Sequence, residues 1–402
     1  ASHGAPLNQE EIDNMRKNLE WTHAPFEIPT DLKDAWRLVG LKNTSKRKNW
    51  EDRLSKTDDK KKVKFLHAIN GDISDLVSES IQDLKEKYSA ESPKLATRQS
   101  SQQVLEIINP IIKEMIGGSA DLTPSNNTKT KDINPISRND FNGRFIHYGI
   151  REHGMAAAMN GMALHKGLIP YSGTFLIFSD YCRPSIRLAA LMGIKVIHVM
   201  THDSIGVGED GPTHQPVEQI PSLRSIPNLN VFRPGDATEV AECWEIAIKS
   251  NQPTVIALSR QGCRHFRDTF ESSNKCELGG YEIGSVSKRP DVCIISTGSE
   301  VSIALDVKKE LEKEGTVCKV VSMPSFELFE KQSDDYKKTL LETNGIRIGI
   351  EASVGTGWEK YLGDKGFFIG MKGFGASAPA SDLYEHFEIN KEHVLRVIKE
   401  NL

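Results

Sequence analysis

The 402-residue sequence lacks several features that would place it in a specialised class of protein. Its formal net charge is only −4, which gives no electrostatic case for a nucleic acid or an anionic membrane as partner. No apolar run approaches the length of a membrane span, and residues 1–8 have neither the basic start nor the hydrophobic segment of a secretory signal. We therefore expect neither nucleic acid nor membrane as a partner.

Cysteine is also sparse, and no two cysteines form a Cys-x-x-Cys pair. Several of the six lie in apolar runs that are typical of a core, which indicates a reducing compartment and predicts a cytoplasmic protein without a zinc site. The six are Cys182, Cys243, Cys263, Cys276, Cys293 and Cys318. We predict no metal ligand on this chain.

The length and the ordinary hydrophobic share of 38% allow two or three domains. Near the start, Asn8 is expected to cap a helix that Pro25 and Pro29 end. The charged stretch 42–64 is typical of a solvated linker or exposed helices. A Gly-rich fall in hydrophobicity after residue 275 predicts a boundary, so we expect domains at 1–70, 71–275 and 276–402.

Within the expected domain 71–275, strand and helix patterns alternate. Strands are predicted at 115–122, 145–150, 169–174, 195–200, 230–233 and 254–259, with helices at 152–165, 179–192 and 237–250. An amphipathic helix at 98–109 precedes them, and Pro110 should end or kink it. The pattern predicts an α/β fold with a doubly wound parallel sheet, a smaller α/β C-terminal domain and a helical N-terminal tail. We see no comparable cluster of titratable groups after residue 276, which indicates a structural or interface role there.

The segment 202–216 concentrates chemistry that a simple turn does not need. It holds two histidines, three carboxylates and three glycines, and it follows an apolar run that predicts a buried strand. In open α/β sheets, ligands bind beyond the carboxyl ends of the strands. A surface turn with solvated carboxylates is the alternative interpretation, but it leaves both histidines unexplained.

Two further patterns are ambiguous by themselves. Glu152 stands at the start of a predicted helix, where a carboxylate either favours the helix dipole or bonds a heterocyclic nitrogen. Phe175, Phe178 and Tyr181 have helical spacing, and such a stripe is more often core than cofactor pocket, although together with Glu152 it could stack on a planar ring.

These residues strongly resemble the transketolases, which are thiamine diphosphate enzymes, over essentially the whole sequence. The matching blocks are residues 2–7, 96–98, 117–122, 149–155, 202–216 and 259–261. The block at 202–216 is highly specific, whereas 259–261 would mean little alone. The order and spacing of all six blocks carry the resemblance.

The resemblance implies transfer of a two-carbon ketol unit from a ketose phosphate to an aldose phosphate, in the pentose phosphate pathway. It assigns Glu152 as the acid that activates the cofactor's aminopyrimidine. Phe175, Phe178 and Tyr181 would surround that ring, and Asp121 would also contact the cofactor. It further implies a homodimer that uses Mg²⁺ or Ca²⁺ with its thiamine diphosphate.

The resemblance also assigns substrate contacts to seven residues: Arg98, Ser125, His202, Asp210, His214, Arg260 and His3. The substrate phosphate would be bound by the two arginines with Ser125 and His202. Asp210 would contact a sugar hydroxyl near the reacting carbon. His214 and His3 would take part in catalysis as well as in binding.

One family motif is not found. The metal and the diphosphate are held in the family by a Gly-Asp-Gly and a later Asn, and no Gly-Asp-Gly occurs in this sequence. We therefore expect a chain that lacks most of the diphosphate-binding domain, through truncation, proteolysis or a natural split, and that is inactive alone. Dihydroxyacetone synthase, deoxyxylulose phosphate synthase and a non-catalytic interaction subunit stay open as alternatives.

Overall fold

The computed structural model describes residues 3–70 and 74–402. The chain divides into two compact units, Ala1–Leu66 and His67–Leu402. The described part of the first unit is helical: α1 (Gln9–Asn18), α2 (Thr30–Leu41), α3 (Thr44–Ser55) and the start of α4 (Asp59–Asn70). None of these helices has a buried residue, so the stretch 42–64 forms exposed helices.

The ends of the first helices follow local capping chemistry. The Asn8 side chain accepts a hydrogen bond from the backbone N–H of Glu11, and the Glu11 carboxylate accepts one from the backbone of Asn8. The prediction that Pro25 and Pro29 end this helix is wrong, because α1 ends at Asn18. Pro29 instead directly precedes α2, a helix that we did not predict, and its fixed φ is compatible with a helix start.

The second unit begins with a six-stranded sheet. Its strands are β1 (Met115–Ser119), β2 (Phe145–His147), β3 (Ile169–Phe175), β4 (Ile197–Thr201), β5 (Asn230–Phe232) and β6 (Thr254–Leu258). The order is β2-β1-β3-β4-β6-β5, and every neighbouring pair is parallel. The predicted α/β fold with a doubly wound parallel sheet is confirmed.

Helices cover both faces of this sheet. They are α5 (Ser74–Glu91), α6 (Thr97–Ile111), α7 (Thr123–Asn126), α8 (Glu152–His165), α9 (Ser179–Met192), α10 (Gln219–Arg224) and α11 (Ala237–Lys249). Residues of α5, α6 and α11 form one core, and residues of α8, α9 and α10 pack with the opposite face. Burial on both faces explains why the strands are nearly continuous apolar runs.

A smaller α/β part follows, with a five-stranded sheet of order β11-β10-β8-β9-β7. Its strands are β7 (Tyr281–Glu282), β8 (Val292–Ser296), β9 (Cys318–Ser322), β10 (Ile346–Ile350) and β11 (Phe367–Ile369). Its helices are α12 (Val301–Lys313), α13 (Phe326–Glu330), α14 (Asp334–Leu340), α15 (Glu359–Leu362), α16 (Ala380–His386) and α17 (Lys391–Asn401). Only β7 pairs antiparallel, at the sheet edge.

The predicted elements agree with the structure in type and differ at their ends. The strand predicted at 115–122 ends at Ser119, and the one predicted at 145–150 ends at His147. Helix α6 ends at Ile111, one residue beyond Pro110. The predicted boundary at residue 71 lies outside the described residues, and so does Ser2 of the block 2–7. No described helix is long and apolar enough to cross a membrane.

Candidate functional site

Four parallel strands end at one edge of the six-stranded sheet, and the predicted site residues follow them. The strands β1, β3, β4 and β6 end at Ser119, Phe175, Thr201 and Leu258. The loop 202–216 leaves β4 at this edge, and Arg260 comes two residues after β6. The topology therefore brings residues from distant parts of the sequence to the edge at which open α/β sheets bind ligands.

Arg98, His202 and Arg260 form a cluster of basic groups here, which we call the cation cluster. Burial and the charge of Arg260 lower the pKa of Arg98. One Arg98 nitrogen donates to the backbone carbonyl of Ser125 at 2.7 Å, but its Nε is buried without a partner. Neither arginine forms an ion pair with a carboxylate of residues 3–70 or 74–402. The cluster has uncompensated positive charge.

His202 is the neutral member of this cluster. Its ring is stacked on Phe175, with 3.7 Å between centroids, and its backbone has a φ of +64°. Burial, followed by the nearby charges of Arg98 and Arg260, lowers the pKa of His202 to about 3. Near neutral pH the ring is therefore an uncharged imidazole that carries one N–H.

The three predicted aromatic residues form a ladder of stacked rings. Phe175 and Phe178 are 5.7 Å apart and nearly parallel, and Phe178 and Tyr181 are 5.9 Å apart. The His214 ring meets Phe175 and Phe178 edge-on, at 6.3 and 5.6 Å. Exposure rises along the ladder, from 7% at Phe175 to 65% at Tyr181, so its outer rings have free surface for a planar ligand.

Glu152 is the first residue of α8 and is buried. Its carboxylate makes no hydrogen bond or ion pair within the described chain, although its charge, after burial, helps to raise the pKa of Cys182 to about 12. Cys182 adjoins Tyr181 on α9, so the acid lies close to the aromatic ladder. A buried carboxylate without a protein partner beside free ring surface fits an aminopyrimidine.

The other predicted residues are less well defined by contacts. Asp210 is exposed at the end of the 3₁₀ segment Ile205–Asp210, and Asp121 is exposed beyond β1 with a φ of +62°. Ser125 lies in α7 and meets Arg98 through its carbonyl. His3 is an exposed residue of the first unit.

Gln215 and Gln261 contact the backbone of the loop 202–216, and neither was among the predicted ligand-binding residues. A Cβ at Gly206 would lie 2.3 Å from the amide end of the Gln261 side chain, so a larger residue there would displace that side chain. The Gln215 amide donates to the carbonyls of Gly208 and Ala376, both at 2.8 Å. Because Ala376 belongs to the C-terminal part, that part fixes the shape of the loop.

Asp203, Arg233, Glu300 and Glu351 form a second buried cluster, the buried ion network. Arg233 donates to Asp203 at 2.9 Å, is hydrogen-bonded to Glu300, and has Glu351 at 3.7 Å. Although burial opposes its charge, Glu300 and Asp203 hold the pKa of Arg233 well above its usual value. Glu351 also forms a two-pronged pair with Arg224, at 2.8 and 2.9 Å.

This network corrects our prediction for the C-terminal part. We expected no comparable cluster of titratable groups after residue 276, yet Glu300 and Glu351 are both fully buried and point at residues next to the loop 202–216. Sequence reasoning missed them because each glutamate stands alone in its own segment. Glu300 and Glu351 reach Arg233 only in the folded chain. The one local signal in the sequence was Asp203, the acid that directly follows His202.

A metal is a different case from the pyrimidine. Among the described residues, no group of three or more His, Cys, Asp or Glu side chains could hold a metal ion. We assign no chemical step to a metal.

Three family models match this chain and divide it between them. They are the transketolase thiamine diphosphate binding domain at residues 1–107, the transketolase pyrimidine binding domain at 93–265, and the transketolase-like C-terminal domain at 279–390. A relative named transketolase from Sinorhizobium medicae is 49% identical over 98% of this chain and 56% of its own length.

Solved structures of similar fold agree. Transketolase from Leishmania mexicana has a TM-score of 0.89 and 39% identity, over 99% of this chain and 58% of that one. A Pichia stipitis transketolase in complex with sedoheptulose-7-phosphate has a TM-score of 0.90 and 34% identity, over 99% and 59%. The chain thus spans under two thirds of the length of these relatives.

The comparisons overturn one prediction. We expected the chain to lack most of the diphosphate-binding domain, and this is wrong, because residues 1–107 match the model of that domain. The prediction relied on one absent tripeptide, whereas a domain is specified by packing and capping over its whole sequence. The expectation that the chain is inactive alone depended on the same absence and has no support.

Proposed function

Because this chain belongs to the transketolase family, we propose that it transfers a two-carbon ketol unit from a ketose phosphate to an aldose phosphate, with thiamine diphosphate as cofactor. The observation that carries the proposal is the cation cluster, in which two guanidinium groups and a neutral imidazole converge without a carboxylate. Such a cluster is stabilised by an anionic ligand. The Pichia stipitis relative forms a complex with a sugar phosphate, which is a ligand of this charge.

In this proposal the phosphate of the substrate binds the cation cluster. Arg260 and Arg98 present planar donor groups, and the unpartnered Nε of Arg98 gains an acceptor. The His202 ring adds one N–H without adding charge, and Ser125 of α7 adds a hydroxyl. Since Arg98 and His202 are held in place before binding, these two groups lose little conformational entropy when the phosphate arrives.

The cofactor's pyrimidine ring is proposed to lie on the aromatic ladder, with Asp121 as a further contact. When bound, thiamine diphosphate supplies the nucleophilic carbon and the electron sink for the two-carbon unit. Glu152 would hold a proton at a ring nitrogen of the pyrimidine, since its carboxylate is buried and lacks a protein partner.

The remaining predicted residues are proposed to act on the sugar. His214 meets the ladder edge-on, which suits transfer of a proton near the reacting carbon. Asp210 would accept a hydrogen bond from a sugar hydroxyl, and its carboxylate has no bond to the described chain that would compete. His3 would be a further active-site histidine. We also propose the three predicted domains, 1–70, 71–275 and 276–402.

The exposed apolar side of α9 supports our proposal that the protein forms a homodimer. Tyr181, Leu188 and Leu191 are exposed and recur at spacings of seven and three, so they lie on one helix face. An apolar stripe of this kind commonly marks a protein interface. Sedimentation of the wild type against Leu188→Glu and Leu191→Glu tests this, and equal masses for all three would contradict it.

We further propose a cytoplasmic protein of the pentose phosphate pathway. All six cysteines are buried and free, which fits a reducing compartment. The pathway assignment depends on the sugar phosphates that the enzyme accepts, so it stands or falls with the substrate assay.

The assay supplies xylulose 5-phosphate as donor with thiamine diphosphate and Mg²⁺, and compares two acceptors. Ribose 5-phosphate should be the better acceptor if the function is ketol transfer between sugar phosphates. Preference for formaldehyde would indicate a dihydroxyacetone synthase instead. Absence of turnover with both acceptors, from protein that binds the cofactor, would contradict the proposal.

A further inference from the structure

A line of hydrogen bonds leads to Nδ1 of the His202 ring. The backbone N–H of Leu122 donates to Ser119 Oγ at 3.2 Å, and Ser119 Oγ donates to Asn126 Oδ1 at 3.0 Å. Asn126 Nδ2 donates to Thr201 Oγ1 at 2.7 Å, and Thr201 Oγ1 lies 2.8 Å from His202 Nδ1. We call Ser119, Asn126 and Thr201 the polar relay.

The relay has a direction. A backbone N–H can only donate, so Ser119 Oγ accepts from Leu122 and has its own hydrogen left to give. Asn126 takes that hydrogen on its oxygen, which turns its NH₂ group toward Thr201. Thr201 Oγ1 then accepts from Asn126 and donates to His202 Nδ1. In the opposite orientation, the Ser119 hydrogen would have no acceptor among the described residues.

We propose that the polar relay fixes His202 as the tautomer with its proton on Nε2, so that the ring donates to the substrate phosphate. This inference rests on the proposed function for the identity of the anion. The residues of the relay are positioning residues, since they act through His202 and touch no ligand themselves.

Three observations show why the tautomer needs to be fixed. Stacking on Phe175 fixes the plane of the ring, and the hydrogen bond between Thr201 Oγ1 and Nδ1 fixes which edge faces the relay, because a half-turn of the ring would lose that bond. Burial, followed by the charges of Arg98 and Arg260, opposes a second proton on the ring, so only one N–H is present. The Nε2 atom makes no hydrogen bond to the described chain. A neutral ring with its proton on Nδ1 would present a lone pair to an anion, which is repulsive.

The first test is the tautomer itself, read from the side-chain ¹⁵N shifts of ¹⁵N-histidine-labelled holoenzyme, with His202→Gln to assign the signal. The wild type should show a protonated Nε2 and an acceptor Nδ1. Asn126→Asp removes the NH₂ donor, so Thr201 should donate to the new carboxylate and accept from His202, which moves the ring proton to Nδ1. Thr201→Val should leave a mixture of both tautomers.

The second test is affinity for inorganic phosphate, measured by titration. Thr201→Val should bind phosphate about threefold to tenfold more weakly, because part of the population loses its donor. Thr201→Ser keeps the hydroxyl and should restore wild-type affinity. Thr174→Val is the matched control, since Thr174 Oγ1 is also buried on a neighbouring strand but has no hydrogen-bond partner.

The outcomes separate the two proposals. An unchanged Nε2–H tautomer in both Asn126→Asp and Thr201→Val would overturn the relay, even if the enzyme transfers ketol units. Equal losses of phosphate affinity in Thr201→Val and Thr174→Val would also overturn it. Absence of ketol transfer in the wild type, with the tautomer responding as expected, would instead contradict the proposed function and leave the relay supported.

Discussion

Two clusters of charge meet at consecutive residues of one loop and are built in opposite ways. His202 belongs to the cation cluster, in which neither arginine has a carboxylate partner within the described chain. Asp203 belongs to the buried ion network, in which Arg233 has three carboxylates around it. In the first cluster, burial and then neighbouring positive charge lower the pKa values of Arg98 and His202, whereas in the second the carboxylates hold the pKa of Arg233 above its usual value.

The difference separates a binding site from a support. Like charges that converge without compensation are unfavourable in the free protein, so their presence indicates a ligand of opposite charge. Compensated charges that are fully buried gain little net stability, but the removal of one partner leaves the others without compensation. Loss of the network should therefore affect folding, and loss of the cation cluster should affect binding.

Arg233→Ala should give the largest effect. Its removal leaves Asp203, Glu300 and part of the Glu351 charge buried without their shared cation, which should cost about 3–5 kcal/mol of unfolding free energy. Urea denaturation followed by far-ultraviolet circular dichroism measures the change. Arg264→Ala is the control, because its pair with Asp306 is half exposed and should contribute less than about 1 kcal/mol. Equal losses in both variants would contradict a supporting role for the network.

Arg260→Ala should give the opposite pattern, with function lost and folding retained. Arg260 is exposed and has no ion pair within residues 74–402, so the unfolding free energy should change little. The phosphate loses one charge-assisted contact of about 2 kcal/mol, which lowers kcat/KM for a phosphorylated ketose roughly thirtyfold. An unphosphorylated ketose serves as the control substrate. A similar fall in kcat/KM for both ketoses would show that Arg260 does not act on the phosphate.

The contrast between the clusters also explains what sequence could predict. The elements of the sheet follow from local periodicity, so helices such as Glu152–His165 and Ser179–Met192 were predicted with their observed bounds. The members of the cation cluster were identified because they lie in short blocks that resemble a known family. Their convergence in the structure is consistent with the proposed roles, which await experiment.

Contacts between distant segments were not accessible in the same way. Glu300 and Glu351 stand in segments with no distinctive local pattern and reach Arg233 only through the packing of two sheets. Asn126 and Thr201 are ordinary polar residues 75 positions apart, and only the packing of α7 beside the end of β4 brings them together. The chain carries no local signal for such partnerships, because the required geometry is specified by the whole fold.

Gln215→Ala should give a smaller effect, which involves both stability and substrate binding. Its amide donates to the carbonyls of Gly208 and Ala376, so its loss removes one hydrogen bond within the loop and one between the loop and the C-terminal part. We expect about 1–2 kcal/mol of lost stability and a severalfold rise in KM for a phosphorylated ketose. Gln252→Ala, at a half-buried glutamine far along the sequence from the loop, is the control. A rise in KM of the same size in Gln252→Ala would show that the bonds of Gln215 to the loop do not explain the effect.

The smallest expected effect is a pH dependence near neutrality that comes from His202 and that Glu351 of the buried ion network does not share. The folded pKa of His202 is about 3, below its ordinary value of 6.5, so the unfolded chain binds a proton that the folded chain does not as the pH falls below 6.5. Stability from this group is therefore complete above pH 6.5 and is lost progressively toward pH 3. Relative to His202→Gln, the wild type should lose about 0.7 kcal/mol between pH 7 and pH 6.

Glu351 of the buried ion network should be silent in that window. Although burial alone would raise it, Arg224 holds the pKa of Glu351 at about 2, so its stabilisation is lost only as the pH falls from about 4.5 toward 2. Saturating inorganic phosphate should reduce the difference between wild type and His202→Gln, because the bound anion compensates the charge that opposes protonation of the ring. A difference that is the same at pH 7 and pH 6, with and without phosphate, would mean that His202 is not the uncharged member of an uncompensated cluster.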